Sequence, residues 1–205
     1  MNQKESHWQT IYSEKDATEL SWFQVIPKLS LELIHSCQIA HNDAIIDVGG
    51  GASVLVDALL NDGFSRLAVL DISVNALACS QERLGEKADR VEWFDTDITT
   101  FRCPHSVSLW HDRAVFHFLT EQTDRLAYVS ALKHALKLGG HVIIAAFSVG
   151  GPQRCSGLEI VQYDASTLSA ELGDSFELIQ TRDESHQTPR GGFQRFTYFH
   201  FVRRA

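Results

Sequence analysis

Three consecutive glycines, Gly49-Gly50-Gly51, follow the β-rich run Ala44-Ile45-Ile46-Asp47-Val48 and precede a helical stretch. A glycine turn between strand and helix lets the backbone pass close to a ligand, with the helix N-terminus just beyond. The dinucleotide pattern GxGxxG asks for Gly or Ala at position 54, where Val54 stands. Asp47 lies two residues before the first glycine. A carboxylate there suits a cationic amino group better than a pyrophosphate. Asp71 ends the next apolar run, where a ribose-binding acid belongs roughly 20 residues beyond such a loop. Asp97 follows the third run, in Phe94-Asp95-Thr96-Asp97-Ile98. One aspartate at a strand end is ordinarily a turn or cap residue. Three at successive strand ends, on one edge of a sheet, point to a ligand site.

A fourth run ends in Trp110-His111-Asp112-Arg113-Ala114-Val115-Phe116-His117, dense in titratable groups. His111, Asp112 and His117 are the candidates for taking a proton, and His111 also for touching a bound ligand. Asp112 and Arg113 suit either an ion pair ordering the loop or recognition of a charged substrate. A helical turn here puts Arg113 and His117 on one face. His117 equally suits a hydrogen-bonded place in the core. Near the start, Trp8 and Tyr12 share a helical face, and Ser21-Trp22-Phe23 precedes Pro27. The loop Gly150-Gly151-Pro152-Gln153-Arg154-Cys155-Ser156-Gly157 offers Arg154 to a carboxylate and Cys155 to a thiol or soft metalloid. His186, Arg190 and Gln194 are candidates for a pocket rim.

The elements that must position these residues alternate along the chain. Apolar runs at 44–48, 67–71, 91–94, 106–110 and 141–147 read as strands, and residues 53–61, 74–84 and 121–138 as helices. The last helix is expected to stop at Gly139-Gly140. Strands without polar alternation, each followed by a helix, imply a parallel sheet covered on both faces. Residues 176–181 and 193–202 have no helix between them and read as an antiparallel hairpin closing one edge. Residues 29–39 form a further helix. The fold class is therefore a doubly wound α/β sheet in a single domain, residues 1–205, with residues 1–40 as a helical cap.

Composition agrees with that reading. At 205 residues, one domain suffices, and no apolar run approaches the roughly 20 residues of a membrane span. With 18 basic against 26 acidic side chains, the net charge of −8 argues against a general nucleic-acid surface. Cys37, Cys79, Cys103 and Cys155 stand far apart with no CxxC pair, which suits reduced thiols in a cytoplasm rather than disulfides or a metal site.

Asp47-Val48-Gly49-Gly50-Gly51 resembles the first motif of the class I S-adenosylmethionine-dependent methyltransferases, with Ser53 where a third glycine is frequent. Leu138-Gly139-Gly140-His141-Val142 is similar to that family's turn before the fifth strand. The resemblance implies a seven-stranded, mostly parallel Rossmann-like sheet in the order 3-2-1-4-5-7-6, the last strand antiparallel. It implies S-adenosylmethionine as cofactor. Asp47 and Gly49–Gly51 would then hold the methionine moiety, Asp71 and Ile72 the ribose, and Asp97 with Ile98 the adenine. In such enzymes the N-terminal segment lids the cofactor. Tyr12 would face the sulfonium through cation–π attraction, and Trp22 the acceptor, with Arg113, Arg154, Cys155 and Gln194. The segments 110–119 and 188–196 resemble a bacterial group known only as methyltransferases, which implies no particular acceptor. A small-molecule acceptor is expected. A protein lysine and a non-catalytic binding module are the alternatives, and a nicotinamide reductase is disfavoured by Asp47 and Val54.

Overall fold

A computed structural model describes residues 3–205. Five parallel strands, β1 (Ala44–Val48), β2 (Arg66–Asp71), β3 (Val91–Asp95), β4 (Val107–Arg113) and β5 (Leu136–Phe147), are joined by a two-stranded hairpin of which only the last strand runs antiparallel to them. The hairpin strands are β6 (Phe176–Gln187) and β7 (Phe193–Arg203), and the sheet order is 3-2-1-4-5-7-6. The helices are α1 (Gln3–Glu14), α2 (Lys28–Ser36), α3 (Leu55–Asn61), α4 (Val74–Leu84), α5 (Gln122–Ala135) and α6 (Ala165–Leu172).

The sheet sends alternate residues into two separate cores, as the two-residue period of a strand requires. Ile45, Val69, Leu109 and Ile143 meet Leu33 and Ile34 of α2, Leu55 and Leu59 of α3, and Leu77 of α4. Ile46, Leu70, Trp110 and Ile144 meet Tyr128 and Leu132 of α5 and Leu168 of α6. Two-sided burial explains why β1 is buried at every position. It also decides the fate of the polar strand ends: Asp47 and His111 share the first face, and Asp112, one residue on, points into the second.

Three boundaries differ from expectation. β4 continues through Arg113, so His111, Asp112 and Arg113 are strand residues rather than a turn, and the reversal falls at Ala114, with φ +75°. The helix expected over 121–138 ends at Ala135, and Gly139-Gly140 lie inside β5. There Leu136 pairs with Val107 and His141 with Leu109, so the intervening residues bulge out of register. The helical spacing of Leu126, Val129, Leu132 and Leu136 ran on past the helix because Leu136 is apolar and buried, but as the first residue of β5. The hairpin strands are longer than expected, leaving only residues 188–192 as the turn. Finally, α2 belongs to the helical layer of the first core. Only α1 and residues 15–27 extend over the carboxyl edge of the strands.

Candidate active site

The chain turns at Gly49, where φ is +70°, a region that other residues enter only with strain. A Cβ at this position would meet Val115 Cγ2 at 2.0 Å. Gly50 rests on the Asp47 carboxylate, and Gly51 on Asp71 and Ala76, each too close for a methyl group. Gly51 N–H therefore reaches Asp71 Oδ2 at 3.0 Å, while Ser73 N–H donates to Oδ1 at 2.9 Å. Asp71 thus ties the glycine turn to the start of α4. Burial pushes its carboxyl up to about 6, opposed by these amide hydrogen bonds. Ser80 Oγ donates to Gly51 O, and Arg83 Nη2 to Ser53 O at 2.7 Å, bracing the loop from α4.

Asp47 and His111 are paired in register on β1 and β4, and their side chains meet at 2.7 Å, Oδ1 to Nδ1. The other ring nitrogen lies 2.9 Å from Ser30 Oγ of α2. A carboxylate at Nδ1 fixes the Nδ1–H tautomer, so Nε2 accepts from the serine. Both ring nitrogens are engaged. Asp47 Oδ2, in contrast, is buried with no hydrogen-bond partner. A buried carboxylate oxygen in that state is a strong acceptor without its donor.

Two adjoining chambers meet at the turn. The inner one, about 570 Å³ with its mouth, is lined by Ser30, Asp47, Gly50, Ser53 and His111. The outer one, about 870 Å³ with its mouth, runs from Asp71, Ile72, Asp97 and Ile98 to Cys155 and Phe196. Tyr12, Trp22, Gly49 and Arg113 line both. Aromatic rings roof the outer chamber: Trp8 packs edge-on against Phe118 at 5.1 Å and Trp22 at 5.7 Å, and Tyr12 stands 6.3 Å from Trp22. Burial, then the nearby Asp71 charge, pushes the Tyr12 hydroxyl well above its ordinary range. Burial pushes the Cys155 thiol up to about 11, so it stays protonated at neutral pH.

The roof is fastened at both ends. Gln9 Oε1 accepts from Ser73 Oγ and Asn75 N–H, and Asn75 Nδ2 donates to Gln9 O, fixing α1 on the start of α4. Arg113 is the brace at the other end. Its Nη1 donates to Trp22 O at 3.0 Å, its Nε to Tyr198 Oη at 2.9 Å, and its Nη2 faces Glu184 at 3.4 Å. The guanidinium also lies over the Phe196 ring at 4.5 Å.

The structure brings most of the expected residues together, but Asp112, His117, Arg154, His186 and Gln194 do not line the cleft. Asp112 points away from the cleft. It accepts from Tyr128 Oη at 2.7 Å and from the amides of Val115 and Phe116, so it caps the reversal after β4, and burial pushes its carboxyl to about 6. The Asp112–Arg113 pair does not form, because neighbouring strand residues face opposite sides. His117 is buried between Phe118 and Phe147, with neither ring nitrogen hydrogen-bonded, and desolvation drives its pKa down to about 3. It is a neutral core imidazole outside both chambers. Arg154 is exposed and donates to Gly157 O at 2.6 Å. Gln194 reaches Ser21 Oγ at 3.4 Å, and His186 Nε2 donates to Ser21 O at 2.8 Å. These two hairpin residues therefore hold the roof segment, and it is Phe196 of the same hairpin that lines the outer chamber. Gln9, Ser30 and Asn75 carried no sequence signal, since a single amide or hydroxyl has no spacing to betray it. Phe118 and Phe196 were not singled out either, since one aromatic residue has no spacing that separates cleft from core.

Residues 45–140 match the family model described as a methyltransferase domain. No curated protein matches the chain. Among solved structures, an S-adenosylmethionine-dependent methyltransferase from Anabaena variabilis is similar at TM-score 0.77 and 13% identity, covering 100% of this chain and 96% of the other. The N-methyltransferase NodS from Bradyrhizobium japonicum, in complex with S-adenosylhomocysteine, gives 0.74 at 14% identity, with 98% and 99% covered. The 1,6-didemethyltoxoflavin-N1-methyltransferase of Burkholderia thailandensis, with its substrate and S-adenosylhomocysteine bound, gives 0.72 at 15%, with 98% and 88% covered. At such identities the likeness to these structures is one of fold.

Proposed function

We propose that this chain is a class I S-adenosylmethionine-dependent methyltransferase and transfers a methyl group to a small, largely apolar acceptor held under the aromatic roof, a reading that the match of residues 45–140 to a methyltransferase-domain model supports. S-adenosylmethionine supplies a sulfonium whose methyl group is open to direct displacement. The unpartnered Asp47 Oδ2 beneath Gly50 carries this reading, because it offers a buried anionic acceptor to the amino group of a methionine moiety. The inner chamber then takes the amino-acid end. Asp71 accepts from the ribose hydroxyls, and Ile72, Asp97 and Ile98 flank the adenine. Tyr12, Trp22 and Gly49 line both chambers, which puts the sulfonium beside two aromatic faces. Arg113 also stands there, and Glu184 offsets its charge.

The acceptor approaches from the side of Trp8, Phe118, Cys155 and Phe196. Displacement at carbon needs close, linear approach, which a rigid aromatic enclosure enforces while excluding water. Among the described residues no histidine lines the outer chamber, and the Cys155 thiol is held protonated. Positioning therefore dominates over proton removal, favouring acceptors that lose their proton unaided. The roof supports a small molecule over a folded protein surface.

Calorimetric titration with S-adenosylmethionine and S-adenosylhomocysteine, and with NADH as control, tests the cofactor. Methyl-labelled cofactor in a cell extract tests the acceptor: label is expected in extracted small molecules. Label confined to polypeptides overturns the small-molecule reading, and binding of NADH alone overturns both.

A further inference from the structure

Three side chains from three elements converge near the amino ends of the parallel strands, across the sheet from the cleft. Cys37 follows α2, His141 begins the regular part of β5 opposite Leu109, and His200 lies in β7 opposite Ile143. His200 Nε2 stands 2.9 Å from His141 Nδ1 and 3.5 Å from Cys37 Sγ. One ligand atom of each residue lies within 4.8 Å of the other two. Cys37 and His200 are buried, and His141 is half-buried, leaving a way in.

We propose that Cys37, His141 and His200 form a binding site for a zinc-class divalent cation, with water in the fourth position on the His141 side. One thiolate and two imidazoles are a borderline-soft set suited to such an ion. A tetrahedral ion with metal–nitrogen and metal–sulfur bonds of about 2.05 and 2.3 Å sets its ligand atoms about 3.35 Å (N to N) and about 3.55 Å (N to S) apart. The Cys37–His200 separation of 3.5 Å already fits. The imidazoles, at 2.9 Å, need to part by about 0.5 Å, within a small side-chain rotation.

The protons balance. Two imidazole nitrogens at hydrogen-bond distance share one proton, and the ion takes its place. On His200 that proton moves to Nδ1, which lies 3.3 Å from the Gln180 amide nitrogen. Rotating this amide by half a turn presents its oxygen as acceptor, the outer support that a metal-bound histidine ordinarily has. The Cys37 thiol now donates to Leu33 O. On binding, its S–H bond breaks, the sulfur–metal bond forms, and the proton leaves to water. The site then fastens the end of α2 to β5 and β7, and α2 also carries Ser30, the partner of His111.

The test uses the full chain, stripped of metal by a chelator under reducing conditions and titrated with Co²⁺. One equivalent is expected to bind with a thiolate-to-cobalt charge-transfer band, and one equivalent of Zn²⁺ to displace it. Cys37→Ser should abolish the band, and His141→Gln, at a half-buried position, should weaken binding by more than about 100-fold. Cys103→Ser should change neither. Circular dichroism and retained S-adenosylhomocysteine binding check that the variants fold. Absence of the band in the native chain, its persistence in Cys37→Ser, or unchanged affinity in His141→Gln overturns the site.

Discussion

Asp47→Asn separates the two ends of the cofactor site. Asparagine matches aspartate in shape, and its side-chain oxygen can still accept from His111 Nδ1, now 2.7 Å from Asp47 Oδ1. What disappears is the negative charge at Oδ2, the atom with no partner in the structure. A hydrogen bond to a charged group is worth roughly 1.5–3 kcal/mol, which is about 10- to 150-fold in affinity. S-adenosylhomocysteine should therefore bind Asp47→Asn about 10- to 150-fold more weakly than the native chain. The decisive comparison is 5′-methylthioadenosine, which keeps the nucleoside and the sulfur but has no amino-acid moiety. Its affinity should be unchanged by Asp47→Asn and reduced by Asp71→Asn, whereas S-adenosylhomocysteine should be weakened by both. Isothermal titration of two ligands against three proteins completes the test. Equal weakening of both ligands by Asp47→Asn refutes the assignment of the inner chamber to the amino group. It would mean that Asp47 serves only to hold the Gly50 turn.

Further outcomes follow from the same geometry. Burial places the Asp71 carboxyl at about 6, and the carboxylate is the form proposed to accept from ribose hydroxyls. Affinity for 5′-methylthioadenosine should then be level above pH 7 and fall as pH drops through about 6, with that break absent in Asp71→Asn. Gly51→Ala puts a methyl carbon 2.5 Å from Ala76 Cβ and 2.6 Å from Asp71 Oδ2. It should lower unfolding stability by about 1–3 kcal/mol in denaturant melts and abolish nucleoside binding in titrations. Arg113→Lys keeps the charge but loses the fork that spans Trp22 O and Tyr198 Oη. Amide exchange across residues 20–24 should rise about tenfold or more in mass-spectrometric labelling, while that of β1 stays unchanged.

The architecture was legible because burial on both faces leaves a plain mark: runs such as Ala44–Val48, without polar alternation, cannot be half-exposed strands. The edge that carries the cleft was legible because Asp47, Asp71 and Asp97 recur at strand ends, and the topology puts those ends side by side. What failed was any inference that needed the exact end of an element. Reading β4 as finished at Trp110 made His111, Asp112 and Arg113 look like one loop cluster. Once the strand continues, its alternation assigns His111 and Arg113 to the cleft side and Asp112 to Tyr128 on the other. Four residues beyond Arg113, His117 belongs to the core.

Strand alternation also links the cleft to the far edge of the sheet. Leu109 and His111 lie two residues apart on β4 and face the same helical layer, and His141 of β5 pairs with Leu109 in register. The same layer contains α2, with Ser30 at the His111 ring and Cys37 beside His200 about two turns further along. Sequence distance concealed this, because positions 37, 141 and 200 have no common spacing. The antiparallel return of β7 along β5 is what places His200 beside His141. One helix, α2, thus touches the inner chamber through Ser30 and the far edge of the sheet through Cys37.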